Sequence, residues 1–579
     1  MQNNTSHLMR MSKIRLRSLL VILPLAFLAI FFFYPLGAIF QLAGGGGLAE
    51  IAGDPYYWRV IGFSAWLGAI SAVLTLLVAL PGAYVFARLQ FPGKSLVRAV
   101  ATVPFVLPTV VVAAAFSELL GPRGLLNATL GSLGLPAIQV ERTISLVLLA
   151  HVFYNYSVVL RIVGVAWQGL DARLDQAAAV LGASRWRVLR EVTLPLLIPA
   201  IGAAALLVFI YCFASFGIVL ILGGPRMATV EVEIYRQTAQ LLRLDIAAAL
   251  ALVQILATMI ATLLYNHFQR RTSVTLAARR MTLQRPRNTA SRALVAANVA
   301  FILLLIGLPL LALVLRSITA STGELTWNFY TQLGKNATNS LFFVPPLLAI
   351  RNSLMFAAAT VALTIIVGVP AAYLSASQWT TNKQRTTNNG QQTTNNKQRT
   401  TNNGQQTTGN LLALAFTLPL GTSAVTLGLG YIVALGPLGW LRSPWMVPVA
   451  HTLLAFPFMV RGLAPAIRSL DPRMREAAQA LGAGPLRVLW EIDLPLLAPA
   501  LLVGAVYAFT ISLGDFGAAL LLGQAEFPTV PLVIFRLLGR PGGANYGQAM
   551  ALCTILMVIS VVCFLVMERG EQRVQMGEG

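Results

Sequence analysis

The chain contains few charged side chains for its length. Asp, Glu, Lys and Arg make up 11% of its 579 residues, while hydrophobic residues make up 57% and the mean hydropathy is +0.73. A soluble domain carries about 25% charged residues. The shortage of charge therefore excludes an ordinary soluble protein and indicates a polytopic membrane protein in contact with the lipid bilayer.

Acidic residues are scarcer than basic ones. The chain has 20 Asp and Glu against 42 Lys and Arg, which gives a net charge of +22. In a soluble protein this excess would suggest a nucleic-acid partner. In a membrane protein it indicates cytoplasmic loops, because Lys and Arg resist translocation. We therefore expect no nucleic-acid partner.

Residues that carry enzyme chemistry are also rare. The three cysteines show neither a CxxC pair nor metal-ligand spacing, and His151 and His451 have no third ligand nearby in the sequence. We expect no disulfide, no metal site and structural roles for both histidines. The phosphate-binding pattern G-x-x-x-x-G-K-[ST] is absent, and the run Gly44–Gly47 lacks the lysine that should follow it. We expect no catalytic residue, no cofactor bound by this chain and no ATP hydrolysis by the chain alone.

Long apolar runs are abundant. A helix needs about 20 apolar residues to cross about 30 Å of hydrocarbon. The first run is too long for the hydrophobic region of a signal peptide and predicts an uncleaved span. Twelve runs predict an all-α polytopic membrane protein with twelve transmembrane helices, at 18–42, 60–88, 97–120, 143–166, 197–223, 246–266, 293–316, 352–376, 410–436, 445–466, 498–523 and 546–567.

The twelve runs divide into two parallel six-helix repeats. Residues 1–267 form the first predicted repeat and residues 293–579 the second, joined by a linker at 268–292 that holds seven arginines and no acid. Such a linker marks a cytoplasmic segment. Both chain termini are therefore predicted to be cytoplasmic, and the repeats are related by an axis along the membrane normal.

A polar stretch occurs in both halves with the same pattern, 300 residues apart. Residues 171–200 and 471–500, called here the first and second repeat loops, are identical at 17 of 30 positions without a gap. Each loop predicts a helix that is ended or bent by a glycine, Gly182 or Gly482. A duplicated polar element in an apolar chain predicts a contact outside the membrane, on the cytoplasmic side.

Each repeat loop also predicts a second short helix, stopped by the Leu-Pro pair that follows it. Within it Arg187 and Glu191, and likewise Arg487 and Glu491, stand four residues apart and predict an ion pair. The alternative, an amphipathic helix lying on the membrane surface, does not require the same glycine and the same Leu-Pro pair twice. The predicted apolar face, which suits a groove on a partner, consists of Ala178, Leu181, Val188, Ala478, Leu481 and Val488.

One segment breaks the correspondence of the halves. Residues 380–410 have no counterpart in the first half and repeat a unit of 13 or 14 residues. The segment offers no apolar side chain to bury, so the sequence predicts a disordered insert. A repeat expansion tolerated in a loop and a binding tail are the two interpretations, of which the composition favours the first.

The repeat loops resemble the EAA loop of ABC importer permeases, which couples the membrane subunit to its ATPases. The signature Glu-Ala-Ala, three residues, Gly and a later Leu-Pro stands at Glu476–Ala478, Gly482 and Leu494–Pro495, while the first loop has Gln176 in place of the usual glutamate. The resemblance implies that coupling to the ATPases involves Gln176, Ala177, Ala178, Gly182, Arg187, Glu191, Glu476, Ala477, Ala478, Gly482, Arg487 and Glu491.

The same resemblance implies the type I ABC importer permease fold in a bacterial inner membrane. The implied partners are two copies of an ABC ATPase, which bind ATP and Mg, and a substrate-binding protein on the outer face. Fused permeases of this kind resemble thiamine and ferric-iron importers. Residues 151–161, 212–224 and 229–235 are similar to a thiamine permease, so thiamine or a phosphate ester of it is the favoured cargo and ferric iron the alternative.

Polar residues inside spans are further functional candidates, because they are costly in lipid. Asp515 is the clearest. Its alternative role is to cap a helix break at Gly514–Gly517 or to pair with Arg161 or Arg461. The candidate translocation path, suited to a cation with aromatic rings, consists of Asp515, Ser215, Tyr211, Asn155, Tyr154 and Tyr156.

Two other classes of protein are compatible with the apolar composition. An ion-coupled secondary transporter can also have twelve spans in parallel halves, but it requires no paired EAA-like loops and would show more buried acids than Asp515. A membrane scaffold without transport activity gives no reason for the repeat. The sequence therefore favours an ABC importer permease without its own ATPase site.

Overall fold

The computed structural model describes residues 21–388 and 415–577, apart from residues 123, 225–226, 276–282, 287, 321–322 and 336–343. Within this part of the chain the regular structure is helical, and strand pairing is limited to two isolated bridges. Eleven of the described helices are long and apolar enough to cross a membrane, or twelve if one pair bent by 108° forms a single span.

With the bent pair included, the spans are numbered 1 to 12 in chain order. Each overlaps one predicted apolar run, so the all-α, twelve-span architecture is confirmed for the described residues. The spans are Val21–Gly53, Pro55–Arg88, Thr109–Ser132, Ile144–Gln168, Trp186–Phe213, Leu244–Gln269, Thr289–Ser317, Pro346–Ala376, Ala415–Gly421 with Ala424–Leu435, Met446–Ser469, Leu489–Gly514 and Gly543–Arg569.

The predicted span at 97–120 is not continuous. The structure divides it into the helix Lys94–Thr102, a short 3₁₀ turn at Val103–Val106 and the helix Thr109–Leu120. The break falls where Leu107 adopts an extended backbone before Pro108. A residue before proline is pushed out of the helical region, and proline has no N–H to donate.

The predicted spans at 197–223 and 498–523 are also corrected. The helix Leu194–Phe213 ends before Ala214, and the helix Leu494–Gly514 ends before Asp515. A short helical segment follows each break, Val219–Gly223 in the first half and Gly517–Leu522 in the second. Both halves therefore break the corresponding span at the corresponding place.

The chain forms two compact packing units that combine segments from both sequence halves. Unit I comprises Phe40–Asn339 and Pro531–Val558, and unit II comprises Met1–Ile39, Ser340–Val530 and Ile559–Gly579. Each unit has its own apolar core of buried side chains. The packing units and the predicted sequence repeats are thus two different divisions of the chain.

The first span of each sequence half packs with helices of the other half. In unit II, Phe27 of span 1 lies 6.5 Å, centroid to centroid, from Phe456 of span 10. In unit I, Asn298 of span 7 donates a hydrogen bond of 3.2 Å to the hydroxyl of Tyr156 in span 4. Gly82 permits this approach, because a Cβ there would lie 2.2 Å from the Tyr156 hydroxyl oxygen.

The helix that contains span 8 extends into the predicted disordered insert at 380–410. The helix that contains this span runs from Pro346 to Asn388, which includes the first residues of the insert. Residues 389–410, on which the rest of the predicted disordered insert falls, lie outside the described residues.

Candidate functional site

The two repeat loops begin with the same capped helix. Loop helix 1 is Ala172–Val180 and loop helix 2 is Pro472–Ala480. The Asp171 carboxylate accepts the Arg173 N–H at 2.9 Å, and Asp471 accepts the Arg473 N–H at the same distance. A carboxylate at this position satisfies a backbone N–H of the first turn and interacts favourably with the helix dipole.

Both loop helices end in the same glycine-dependent turn. The Ala183 N–H donates to the Ala178 carbonyl at 3.0 Å, and the Ala483 N–H donates to the Ala478 carbonyl at 2.9 Å. Between these partners Gly182 has φ +80° and Gly482 has φ +84°. This is a Schellman ending, in which glycine adopts the left-handed conformation without steric cost. The predicted helix ends at the two glycines are confirmed.

The turns present unusually exposed apolar side chains. Leu181 is 87% exposed and Leu481 is 90% exposed. Two tryptophans are also exposed, Trp186 at 69% and Trp490 at 68%. The sequence patterns did not identify them. The other coupling candidates at the start of the signature are exposed or half-buried. The exposed ones are Gln176, Ala177, Glu476 and Ala477, and the half-buried ones are Ala178 and Ala478.

One member of the predicted apolar face points away from the surface. Val488 is 5% exposed and is therefore packed within unit II, whereas Val188 is half-buried. The exposed apolar surface of each repeat loop is centred on Leu181 or Leu481, one residue before the glycine. We call these two surfaces the leucine tips.

The Leu-Pro pair does not stop the second helix. Instead each pair follows a π-helical turn, Leu189–Thr193 in span 5 or Leu489–Asp493 in span 11. The turn continues without interruption into the helix Leu194–Phe213 or Leu494–Gly514. The Leu194 N–H donates to the Leu189 carbonyl, five residues back. This wider turn accommodates the proline that follows, which has no N–H of its own. Each repeat loop is consequently continuous with a membrane span.

The ion pair predicted within each second helix is present. The Arg187 Nε donates to Glu191 at 2.9 Å, and the Arg487 Nε donates to Glu491 at 2.8 Å. All four side chains are more than half exposed. Exposed pairs of this kind stabilise a helix by about 0.3–0.5 kcal/mol, so they support the local helix and contribute little else.

The inner face of loop helix 1 is held by an ion pair to span 2. Arg88, the last residue of that span, donates from Nη2 to Asp175 at 2.5 Å. The Thr193 hydroxyl contacts the second Asp175 oxygen at 3.5 Å. Arg88 and Asp175 side chains are 19% and 28% exposed, so solvent screens this pair only partly.

Loop helix 2 is held by a pair of opposite polarity. Here the loop helix supplies the cation, and Arg475 Nε donates to Asp493 at 2.8 Å. The Tyr373 hydroxyl donates to the other Asp493 oxygen at 2.9 Å, and the Arg475 guanidinium lies 5.9 Å from the Tyr373 ring centroid. The Asp493 side chain is only 7% exposed. Position 475 matches 175, so the loop-helix member of each pair stands at the corresponding position with the opposite charge, whereas the partners Arg88 and Asp493 stand at positions that do not correspond.

The sequence patterns did not identify these pairs. The residues involved are those in which the repeats differ, and the search was for positions that agree. A charged residue on the inner face of each loop helix, Asp175 or Arg475, was the available signal, because such a residue requires a partner.

The arginine-rich linker at 268–292 contacts the backbone beside Arg88 in unit I. The Gln284 N–H donates to the Arg88 carbonyl at 2.9 Å, and the Gln90 N–H donates to the Gln284 carbonyl at 2.9 Å. Nearby, Lys94 donates from Nζ to the Leu89 carbonyl at 2.7 Å. Burial, with a smaller effect of Arg98, lowers the pKa of Lys94 to about 8. The backbone beside Arg88 is therefore fixed from two sides.

Asp515 takes part in a polar network at the break after span 11. Its Oδ2 accepts the Ala519 N–H at 3.1 Å and lies 3.2 Å from His451 Nε2. His451 Nδ1 lies 2.8 Å from the Ser512 hydroxyl. The capping role at the helix break, one of the alternatives predicted for Asp515, is present, and the imidazole of His451 lies beside the same carboxylate.

The other path candidates lie in unit I. Tyr156, Asn155 and Ser215 are buried, and Tyr154 donates to the Leu107 carbonyl at 3.0 Å. Asn155 donates to the His151 carbonyl at 2.9 Å. Tyr211 is 40% exposed. Of these candidates, Tyr211 has the most accessible side chain.

The two histidines, for which the sequence predicts structural roles, each contact a serine hydroxyl. His151 Nδ1 lies 2.8 Å from the hydroxyl of Ser71 in span 2, and His451 Nδ1 lies at the same distance from the hydroxyl of Ser512 in span 11. Both imidazoles are buried. No group of three metal-ligating side chains occurs among the residues that the structure describes.

Comparison with known proteins assigns the family. Residues 79–274 and 402–575 each match the family described as "Binding-protein-dependent transport system inner membrane component". The two matches cover more than half of the chain, and each includes one repeat loop. The chain belongs to this family, and it is a fused, multi-span inner-membrane component with two copies of the family domain.

Curated relatives match over nearly the whole chain. The chain is 28% identical over 559 residues to the "Thiamine transport system permease protein ThiP" of Brucella abortus (strain 2308), covering 95% of this chain and 94% of that protein. The protein of the same description from Escherichia coli (strain K12) is 27% identical, with 89% of each chain covered.

A shorter relative matches about half of the chain. The "Putative 2-aminoethylphosphonate transport system permease protein PhnU" of Salmonella typhimurium is 30% identical over 274 residues, covering 45% of this chain and 96% of that protein. Among solved structures, a bacterial ABC transporter involved in alginate import matches with a TM-score of 0.38 and 20% identity, covering 43% of this chain and 94% of that chain.

Proposed function

We propose that the chain is the transmembrane permease subunit of a binding-protein-dependent ABC importer that moves thiamine, or a phosphate ester of it, inward. The observation that supports the cargo is the identity of 28% over 95% of the chain to a protein described as a thiamine permease. The chain contributes the membrane path, and ATP is hydrolysed by a partner. ATP and Mg are bound by that partner, and this chain holds no cofactor.

The leucine tips are the proposed contacts with two copies of an ABC ATPase. Leu181 and Leu481 are nearly fully exposed although both are large and apolar. Adjacent exposed apolar side chains mark a protein contact, and beside Leu181 the side chain of Val180 is also 87% exposed. The glycine after each leucine has open space around it, since a Cβ on Gly182 or Gly482 would meet no atom within 4 Å. A partner surface has room to approach each tip closely.

The proposed orientation follows the distribution of basic residues. The arginine-rich linker at 268–292 and both repeat loops are on the cytoplasmic side, as are the two termini. The substrate-binding protein docks on the outer face, on the loops around 43–58, 121–142, 224–245, 317–351 and 524–545. Closure of the ATPase pair moves the repeat loops, and the spans change between outward and inward access.

A second cargo is supported by a separate observation. The relative that shares 30% identity over 274 residues is described as a 2-aminoethylphosphonate permease. This compound carries a phosphonate and an ammonium group, whereas thiamine is a cation with aromatic rings, so the two make different electrostatic demands on the path. Ferric iron is the third cargo, which the sequence motifs left open.

The test is substrate-stimulated ATP hydrolysis in vesicles that contain the chain, its co-purifying ATPase and its binding protein. Thiamine, 2-aminoethylphosphonate and ferric iron are added separately. Stimulation and uptake with thiamine alone support the proposal. Stimulation by one of the other two retains the ABC permease and overturns the cargo. Uptake that follows an ion gradient, with no co-purifying ATPase, would establish a secondary transporter.

Two variants provide the control for coupling. Gly482→Asp and Ala478→Asp each place a charge in the proposed ATPase contact. We expect both proteins to insert into the membrane and both to lose uptake and the ATPase copy bound at the second repeat loop. Normal uptake by both variants would contradict the assignment of the repeat loops as ATPase contacts.

A further inference from the structure

The loop helices have almost no apolar anchor of their own. In loop helix 2 no residue is buried, and only Arg475 and Ala478 are half-buried. Loop helix 1 has the same pattern among its described side chains, with Asp175 and Ala178 half-buried. A helix without a buried apolar face depends on polar contacts and chain continuity for its position. The ion pairs on the inner faces are therefore the side-chain contacts best placed to fix each helix.

The two pairs join the loop helices to different parts of the membrane domain. Arg88 connects loop helix 1 to the end of span 2. Asp493 connects loop helix 2 to the π-helical turn at the start of span 11, and Tyr373 extends that contact to span 8. The corresponding position to Arg88 in the second half is Ser377, which carries no charge. The charge reversal is thus accompanied by a change of partner helix.

We propose that Arg88–Asp175 and Arg475–Asp493 act as charge-reversed latches, through which movement of each loop helix is transmitted to the spans. These four are positioning residues, and none of them contacts the cargo or the ATP. The proposal rests on the proposed function, because it requires an ATPase that moves the loops. It adds to that function the route by which the two halves respond, through span 2 in one and through spans 8 and 11 in the other.

Charge exchange tests the latches directly. Asp175→Arg places two cations together, and Arg475→Asp places two acids together. The exchanged doubles Arg88→Asp with Asp175→Arg, and Arg475→Asp with Asp493→Arg, restore opposite charges in reversed order and serve as matched controls. Each protein is reconstituted with the ATPase and the binding protein. The quantities measured are ATPase copies bound per chain, elution as a single folded species and thiamine transported per ATP hydrolysed.

We expect the single variants to bind the ATPase normally while transport per ATP falls by about tenfold or more, an effect within the range of coupled pairs. We expect the doubles to recover to within about threefold of the unmodified chain. Single variants with normal transport per ATP, or folded doubles that fail to recover, would overturn the latches. If a single variant does not fold, Asp175→Asn and Asp493→Asn, which remove the ion pair without repulsion, replace it with the same expected direction of change.

Failure of the proposed function gives a different result. If the unmodified chain binds no ATPase, the ABC assignment itself is wrong. If the unmodified chain and the single variants all bind the ATPase and transport thiamine with the same yield per ATP, the assignment stands and the latches alone are excluded.

Discussion

The first and second repeat loops are nearly alike on their exposed sides. They differ on their inner sides, which face the membrane spans. Both have an aspartate cap, a glycine turn with φ near +80° and a leucine more than four-fifths exposed. On the inner side, loop helix 1 presents an acid and loop helix 2 a base. Under the proposed function the exposed side has to fit two copies of one ATPase, whereas each inner side has to fit only its own packing unit.

This difference indicates how a fused permease diverges. Where a surface faces an identical partner, both copies are constrained in the same way. Where a surface faces the chain itself, a change in one residue is compensated by a change in its neighbour, as Thr193 corresponds to Asp493 and Asp175 to Arg475. On the loop helices and their glycine turns, identity between the repeats therefore accompanies the exposed side, and the paired difference at 175 and 475 accompanies the inner side.

The largest effect is expected at the shared glycine. Gly482→Val forces a β-branched residue to φ +84°, a conformation that costs an L-residue about 1–2 kcal/mol. The turn should rearrange and displace the second leucine tip, with loss of thiamine uptake and of ATPase binding on that side. Gly484→Ser, which introduces the residue of the first loop at a site with open space around it, is the control and should transport normally. Retained ATPase binding in Gly482→Val would remove the tip from the contact.

The next largest effect should be a difference in stability between variants of the two latches. Asp493→Asn leaves Arg475 without its buried partner, and we expect a loss of about 2 kcal/mol, reduced from the fully buried case because Arg475 is partly exposed. Asp175→Asn affects a more exposed pair and should cost about 1 kcal/mol. Thermal unfolding of both variants in detergent measures the order. An equal or reversed order would contradict the difference in burial.

Asp515 and Ser215 occupy corresponding breaks and provide a third comparison. Asp515→Ser gives the second half the residue of the first, keeps a capping oxygen and loses the contact with His451. We expect a stability loss of about 1 kcal/mol and an unchanged KM for thiamine uptake. A rise of about tenfold in KM, equivalent to about 1.4 kcal/mol, would show that the carboxylate contacts the cargo.

The linker contacts the backbone beside the first latch. Gln284→Pro removes the N–H that donates to the Arg88 carbonyl and should cost about 1 kcal/mol. The effect should appear as a lowered unfolding temperature with the ATPase still bound. Gln284→Ala, which retains the N–H, is the matched control. If both variants unfold at the temperature of the unmodified chain, the contact contributes nothing to stability.

The smallest effect is expected at the exposed ion pairs. Glu191→Gln and Glu491→Gln each remove one pair and should cost about 0.3–0.5 kcal/mol, equally in the two loops. Added salt should reduce that cost further. A clearly larger loss in one loop, measured by thermal unfolding at low salt, would show that its glutamate has another role.

The outer surface of the repeat loops was predictable because its causes are local. A helical pattern followed by glycine predicts the helix end, and Arg and Glu four residues apart predict the exposed pair. The latches were not predictable in this way, because Arg88 and Asp175 are 87 residues apart, and Arg475 and Asp493, 18 residues apart, belong to different helical segments. Their proximity depends on the packing of several spans.

The spans likewise combine features that the local sequence predicts with features that it does not. Twelve apolar runs predict the number of crossings, because length and hydropathy are local properties. The breaks near Pro108 and Asp515 and the passage through the Leu-Pro pair depend on turns that hydropathy does not record. The packing of span 1 with second-half helices was not visible either, because an apolar run carries no information about its neighbour.

The central claim is that both repeat loops bind an ATPase. The most direct measurement is the number of ATPase subunits bound per chain, by native mass spectrometry of the complex in detergent. We predict two per unmodified chain, one in Gly482→Val and one in Gly182→Val, and none when both are changed. One copy bound to the unmodified chain, or two copies retained in the double variant, would contradict the account.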